Sequence, residues 1–180
     1  MSSDLSNVAP DRRQAIVAAA LEAFSRFGYR RAAMADIAAA AGVSRPLLYT
    51  VFPNKAAVFR ALAETLMADA IAAAEVAWPA DAPMAEGLAA AILAKDLAVQ
   101  RLLAATPHAA EILAEAENLA ADLHRDSAVR FLALVTARLG DAALARLIVN
   151  AADGLKHASL DEATYVADVR RLAALLTAAS

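Results

Sequence analysis

Few residues in this chain have the types and spacing to do chemistry, and they lie close together. Ser44, Arg45, Pro46, Leu47, Tyr49 and Thr50 fall within one short stretch, and Lys55 follows it. This set suits non-covalent recognition rather than bond-making. An arginine can donate to a guanine edge or to phosphate, and apolar groups such as Pro46 and Leu47 can meet thymine methyls. Lysine offers a cation to a phosphate backbone. Bond-making chemistry has less to work with. His108, His124 and His157 are never three or four apart, so no helix presents a histidine pair. His124 beside Asp122 and Asp126 reads as a charged helix surface. There is no glycine-rich phosphate loop, nucleophile elbow or paired-carboxylate motif. There are no cysteines, which excludes disulfides and thiolate metal sites and is compatible with a reducing cytoplasm. Neither an enzyme nor a cofactor nor a metal site is expected.

The elements that must position the recognition set are two short helices and a tight turn, over residues 33–52. Ile37, Ala38 and Ala41 share one apolar face. Gly42 follows, where a left-handed residue can close a helix without a Cβ penalty. Ser44 is a good N-cap for the next helix. Pro46 falls in that helix's first turn, where a missing N–H is tolerated. Because Pro46 cannot donate, the Ser44 hydroxyl is expected to accept from the N–H of Leu47. Leu48 and Phe52, four apart, give the second helix its buried stripe. Arg45, Leu47, Tyr49 and Thr50 are left towards the open side. Two short helices joined by a glycine-containing turn form the helix-turn-helix pattern, in which the second helix enters the DNA major groove. The same spacing also occurs in all-helical proteins that never meet DNA.

The flanks narrow the choice. Ile16, Ala19, Ala20, Phe24, Gly28, Tyr29, Asp36, Ile37, Ala38, Ala41, Gly42, Val43, Ser44, Leu48, Tyr49, Phe52, Asn54, Lys55 and Phe59 stand at fixed spacing. With these residues the run from Ala15 to Phe59 resembles the TetR family of transcriptional repressors. The resemblance covers about a quarter of the chain. It implies a recognition helix over Ser44–Thr50 and a backbone phosphate contact by Lys55. It further implies dimerisation through the last two helices, with Ala151–Leu155 in that element, and a small apolar effector bound in the C-terminal bundle. The sequence also departs from the family. Ala33 stands where a Ser or Thr usually completes a capping box with Asp36, which should weaken this helix start by about 1 kcal/mol. Thr50 and Val51 replace an aromatic or histidine pair that reaches phosphate, leaving fewer polar contacts.

Composition agrees with an all-α chain. Alanine, the best helix former, makes up 54 of the 180 residues, against 5 Gly and 6 Pro. No uncharged run exceeds about 9 residues, far short of a spanning helix, so no membrane partner is expected. The net charge of −3 hides an asymmetry. Residues 1–60 hold 8 basic and 4 acidic side chains (+4), and residues 61–180 hold 9 and 16 (−7). That division fits a phosphate-binding head on a body that does not touch DNA.

Along the chain, residues 1–9 read as a tail and a first helix ends at Gly28. Arg12, Arg13, Arg30 and Arg31 are candidate phosphate contacts. Pro53-Asn54 separates the recognition helix from a helix over about 55–77, with Phe59, Leu62, Ala63, Leu66 and Ala70 inward. Trp78 to Pro83 is a loop, with Trp78 expected to pack. Helices follow over about 84–105 and from Pro107, the latter with Ile112, Leu113, Ala116 and Leu119 inward. A break is expected at Asp126-Ser127. Asp141 caps a helix holding Leu144, Leu147, Ile148, Ala151 and Leu155. The last helix runs over about 161–178, with Val166, Val169, Leu172, Ala173 and Leu176. Gly154 within a helix allows either close helix approach or fraying. Met84, Leu88, Leu103, Phe131 and Val135 could line a ligand space or simply form core.

The sequence therefore points to about nine helices in two domains. Residues 10–56 are a three-helix, helix-turn-helix DNA-binding domain, and residues 57–180 a helical effector-binding and dimerisation domain. The expected function is a cytoplasmic, homodimeric, ligand-responsive repressor on a palindromic double-stranded operator. The alternative is a helical protein-interaction module of the same fold with weakened DNA binding.

Overall fold

The computed structural model describes residues 8–158 and 161–177. Residues 1–7 of the expected tail and the end of the last helix lie outside the described residues, as does the side chain of Leu176, while Val8 and Ala9, expected in the tail, already belong to the first helix. The described residues form eight helices and no strand. They are α1 (Val8–Arg31), α2 (Met34–Ala40), α3 (Arg45–Val51), α4 (Lys55–Ala77), α5 (Met84–Ala104), α6 (Ala109–Leu139), α7 (Ala142–Ala158) and α8 (Glu162–Thr177). The chain is all-α, as its composition requires.

The eight described helices are close to the expected nine, and the difference arises at one place. The break expected at Asp126-Ser127 is absent, and α6 runs through both residues. Ser and Asp act as caps only where a new helix begins. In the interior of a long alanine-rich helix they cost little propensity. The irregularity falls instead at Ala120 (φ −138°, ψ 17°), which is fully buried. An alanine carries no sequence signal for a kink.

The described chain divides into two compact units. The first takes in residues up to Leu66 together with Leu102–Leu123, and the second Met67–Arg101 together with His124 onward. The expected boundary at 56/57 falls inside the first unit. The first unit's core joins Ile16, Ala20 and Phe24 of α1, Ile37 of α2, Leu48 of α3 and Val58, Phe59 and Leu62 of α4. Ile112, Ala116 and Leu119 of α6 pack against it, whereas Leu113, expected inward, is exposed. Phe24, Tyr29 and Phe59 form an aromatic cluster with centroids 5.1–5.7 Å apart. Aromatic contacts of this kind add about 1 kcal/mol beyond their burial.

The second unit is built on Ile71, Trp78, Leu88, Ile92, Phe131, Val135, Ile148, Tyr165 and Val169. Trp78 is core, as expected, and Gly87 makes room for it. A Cβ at Gly87 would stand 2.0 Å from the indole Cδ1. Leu88, Phe131 and Val135 are core as well, while Met84 is 38% exposed. Asp141 caps α7 as expected, its Oδ1 accepting from the N–H groups of Ala143 and Leu144. Asp161 caps α8 by accepting from the N–H and hydroxyl of Thr164.

One polar group sits inside this unit. Asp96 is only 4% exposed. Its Oδ1 accepts from Lys95 (2.6 Å) and Lys156 (3.1 Å), and its Oδ2 from the Tyr165 hydroxyl (2.7 Å). Lys95 also lies over the Phe131 ring. A buried carboxylate is tolerable only when paired and hydrogen-bonded, which these donors achieve. Burial works to raise the Asp96 pKa. The two lysines and the tyrosine outweigh it and hold the carboxyl below its usual range. The phenol of Tyr165 is pushed up, first by burial and then by Asp96.

Candidate nucleic-acid interface

Helix α2 ends in a full Schellman turn. Ala41 is the last residue with helical angles, and Gly42 takes the left-handed conformation (φ 65°). The N–H of Gly42 donates to Ala39 O (3.2 Å) and that of Val43 to Ala38 O (3.0 Å). These two bonds satisfy the carbonyls a helix end leaves open. Val43 packs against the core, as its place after the glycine predicts.

Ser44 then starts α3 from an extended conformation (φ −71°, ψ 148°). Its Oγ accepts from the N–H of Leu47 at 3.3 Å, the bond predicted from Pro46's missing donor. Leu48 is fully buried and Phe52 nearly so, which anchors one side of α3 in the core. Ser44, Arg45, Pro46, Tyr49 and Thr50 are exposed. Leu47, expected on the open side, is half-buried. The Thr50 hydroxyl donates to Leu47 O (2.7 Å), so its proton is engaged within the helix. Tyr49 shows 51% of its surface.

The start of α2 shows the consequence of Ala33. The Asp36 carboxylate accepts from the Ala33 N–H (2.8 Å), forming one half of a capping box. Alanine has no acceptor for the other half. The Asp36 N–H turns to the Ala33 carbonyl instead (3.0 Å).

The arginines expected to meet phosphate differ in their surroundings. Arg12, Arg13, Arg30 and Arg31 are all exposed. Arg13 stacks over the Phe52 ring, 5.0 Å from its centroid. Arg30 and Arg31 follow Gly28, whose angles (φ 75°, ψ 164°) leave the helical region and end the regular part of α1.

Lys55 has partners that the sequence did not disclose. Its ammonium donates to the carbonyls of Tyr29 (2.6 Å), Arg30 (3.1 Å) and Ala32 (2.9 Å). It also lies 4.5 Å from the Tyr29 ring centroid. All three ammonium protons are thereby engaged within the protein. Asn54 caps the helix that Lys55 begins, its Oδ1 accepting from the Ala57 N–H (2.8 Å). Burial, aided by Glu115, raises the pKa of the Tyr29 phenol.

Three residues here escaped the sequence reading altogether. Glu111 Oε1 accepts from the Arg30 N–H (2.5 Å). Thr106 donates its hydroxyl proton to Ser25 O (2.8 Å). Arg60 donates to Leu119 O (2.7 Å) and forms a bidentate pair with Asp122, whose carboxyl this holds well below its usual range. These bonds join residues 59 to 81 positions apart, and no local pattern announces such partners.

This geometry is a helix-turn-helix with one helix edge held and the other open. Residues 16–62 match the family model for bacterial regulatory proteins of the tetR family. Residues 16–62 thus resemble the N-terminal domain of the tetR family. A relative described as an uncharacterized HTH-type transcriptional regulator, YhgD of Bacillus subtilis (strain 168), is 32% identical over 84 residues. That match covers 47% of this chain and 44% of the relative, so the chain spans less than half of that relative's length. A transcriptional regulator from Rhodococcus sp. Rha1 has a similar structure, with a TM-score of 0.71 and 18% identity over 93% of this chain and 96% of that one. A TetR-like transcriptional regulator from Rhodococcus sp. RHA1 follows, with a TM-score of 0.66 and 21% identity over 94% and 97%. At these identities the two structures establish a shared fold. Among the described residues no helix is long and apolar enough to cross a membrane.

Proposed function

We propose that this chain is a sequence-specific DNA-binding transcriptional repressor of the tetR family that acts as a homodimer and responds to a ligand. One observation carries the reading. Leu48 and Phe52 fix α3 by its buried side, while Ser44, Arg45, Pro46, Tyr49 and Thr50 stand exposed at its N-terminal and outer edge. A recognition helix needs this arrangement, because it reads base edges with its first residues. Arg45 reads guanine or grips phosphate, and Pro46 with the exposed part of Leu47 meets thymine methyls. Ser44, Tyr49 and Thr50 border the groove. Lys55 serves the same interface from behind it, through the backbone carbonyls of Tyr29, Arg30 and Ala32.

The faces of α7 and α8 support the dimer. Leu147 is 60% exposed and Leu175 65%. Leu147, expected inward, is thus on the outside, with Gly154 on the same helix open to any close approach. A two-fold dimer through these helices sets two recognition helices on a palindromic operator. The second unit supports a ligand site by its chemistry. Its interior is apolar apart from one convergent polar cluster at Asp96, the composition of small-molecule sites. A small apolar effector acts by binding one head spacing better than the other.

The decisive test is selection of bound sequences from a random duplex pool with the purified protein. A recovered near-palindrome supports the reading and gives the half-site spacing. A second reading, a protein-interaction module of the same fold, draws on the missing cap at Ala33 and the engaged Thr50 hydroxyl. It moves ahead if nothing is enriched at low salt and no salt-dependent affinity is found.

A further inference from the structure

Both Lys55 and Glu111 close on one peptide stretch, the one that runs from Gly28 to Ala32 and delivers the chain to α2. Lys55 takes its carbonyls at Tyr29, Arg30 and Ala32. Glu111 takes its N–H at Arg30. Each side chain therefore faces the backbone group of opposite partial charge, and charge-assisted bonds are the strong kind. The fit is close on the Glu111 side. A Cβ at Gly28 would stand 2.6 Å from Glu111 Oε2, so glycine leaves the space in which the carboxylate sits. Its φ of 75° would penalise any other residue as well. The stretch ends at Ala33, the N-cap of α2 that has no side-chain acceptor.

We propose that Lys55 and Glu111 act on DNA binding as a positioning pair. Neither touches the nucleic acid. They clamp the Gly28–Ala32 stretch, set the start of α2, and so hold the α2–α3 recognition unit in place of the missing Ala33 cap. For Lys55 to reach a phosphate it would have to surrender at least one of three internal carbonyl bonds. Glu111, an acid, has no favourable contact to make with phosphate, and general electrostatics assigns it only repulsion of DNA.

The inference rests on the DNA-binding reading, and the test separates the two. Affinity for the selected duplex, or for a random-sequence duplex at low salt, is measured across a salt series with the full chain. The variants are Lys55→Met, Lys55→Arg, Glu111→Gln and Glu111→Ala. The clamp predicts about ten-fold weaker binding for Lys55→Met and Glu111→Ala, with Glu111→Gln in between. The slope of log affinity against log salt stays as in the wild type, because no phosphate contact is lost. Lys55→Arg also weakens binding, since a planar guanidinium cannot meet three converging carbonyls as an ammonium does. This variant keeps the charge and guards against reading a fold defect of Lys55→Met as the answer.

A slope shallower by about 0.9 in Lys55→Met would mark a lost phosphate contact and overturn the Lys55 role. Tighter binding by Glu111→Ala would overturn the Glu111 role. Hydrogen exchange at the Arg30 amide, read in the free protein, is independent of DNA. The clamp predicts faster exchange in Glu111→Ala, and an unchanged rate sinks it. A wild type with no salt-dependent DNA affinity overturns the functional reading alone, and the exchange result then decides the clamp.

Discussion

Arg45 is the first residue of α3, directly after the Ser44 cap, and its guanidinium is exposed. In the proposed DNA-binding role a side chain at this point of α3 is placed to read a base edge. Arg45→Ala should therefore relax sequence preference at one operator position by about 1–3 kcal/mol of discrimination. Affinity across a panel of single-base operator variants checks this; a uniform loss over the panel would assign Arg45 to phosphate. Gly87 makes a separate claim at the same scale. Its missing side chain is where the edge of Trp78 lies. Gly87→Ala should destabilise the fold by about 1–3 kcal/mol through overpacking. Trp78 is the chain's one tryptophan, so its fluorescence during urea unfolding reports on the site itself. Asp96 gives a pH prediction. Its carboxyl titrates lower in the folded protein than in an unfolded chain, because Lys95, Lys156 and Tyr165 overcome the effect of burial. A depressed folded pKa contributes stability that is present above the unfolded value of about 4 and is lost as pH falls through the folded one. Acidification below about pH 4 should thus erode stability. Asp96→Asn should lower stability at neutral pH and flatten that acid limb in equilibrium denaturation.

Helix α2 has seven residues and depends on its ends. Its C-terminus is closed by the Gly42 Schellman turn, but its N-terminus has only the Asp36 half of a capping box. Ala33→Ser restores the other half, since Ala33 already has the extended N-cap conformation (φ −105°, ψ 157°). The variant should gain about 1 kcal/mol in denaturant unfolding, and an unchanged midpoint would mean that the clamp on Gly28–Ala32 has already fixed this helix start. The Ser44–Leu47 bond and the Gly42 turn were legible in the sequence, because caps and turns are written within four residues of one another. The interior of α6 was not. Asp126 and Ser127 have the types of a break, yet the helix continues there and kinks at Ala120, whose residue type gives no warning.

The proposed assembly is a matter for the whole molecule. Leu147 and Leu175 are among the most exposed large apolar side chains of the described residues. Covering them is the reason to expect a partner copy. Leu147→Glu combined with Leu175→Glu should convert a dimer to a monomer in sedimentation analysis. It should also weaken operator binding by far more than the loss of any one contact, since two half-sites then bind independently. A variant that stays dimeric would place the interface elsewhere.

The sequence by itself determined the all-helical class, the helix-turn-helix with its caps, the buried stripe of α3 and its exposed edge. These follow from periodicity and from residues a few positions apart, where backbone geometry alone decides who meets whom. Only the tertiary structure decided that Lys55 faces three carbonyls and not solvent, and that Glu111 and Thr106 serve the α1 end. It also showed that Leu113 and Leu147 lie outside and that Asp96 is a buried, triply bonded carboxylate. Each of these depends on partners dozens of residues away. An apolar or charged side chain has the same type whether it is packed, paired or exposed, and what distinguishes these fates is which helix happens to lie against it.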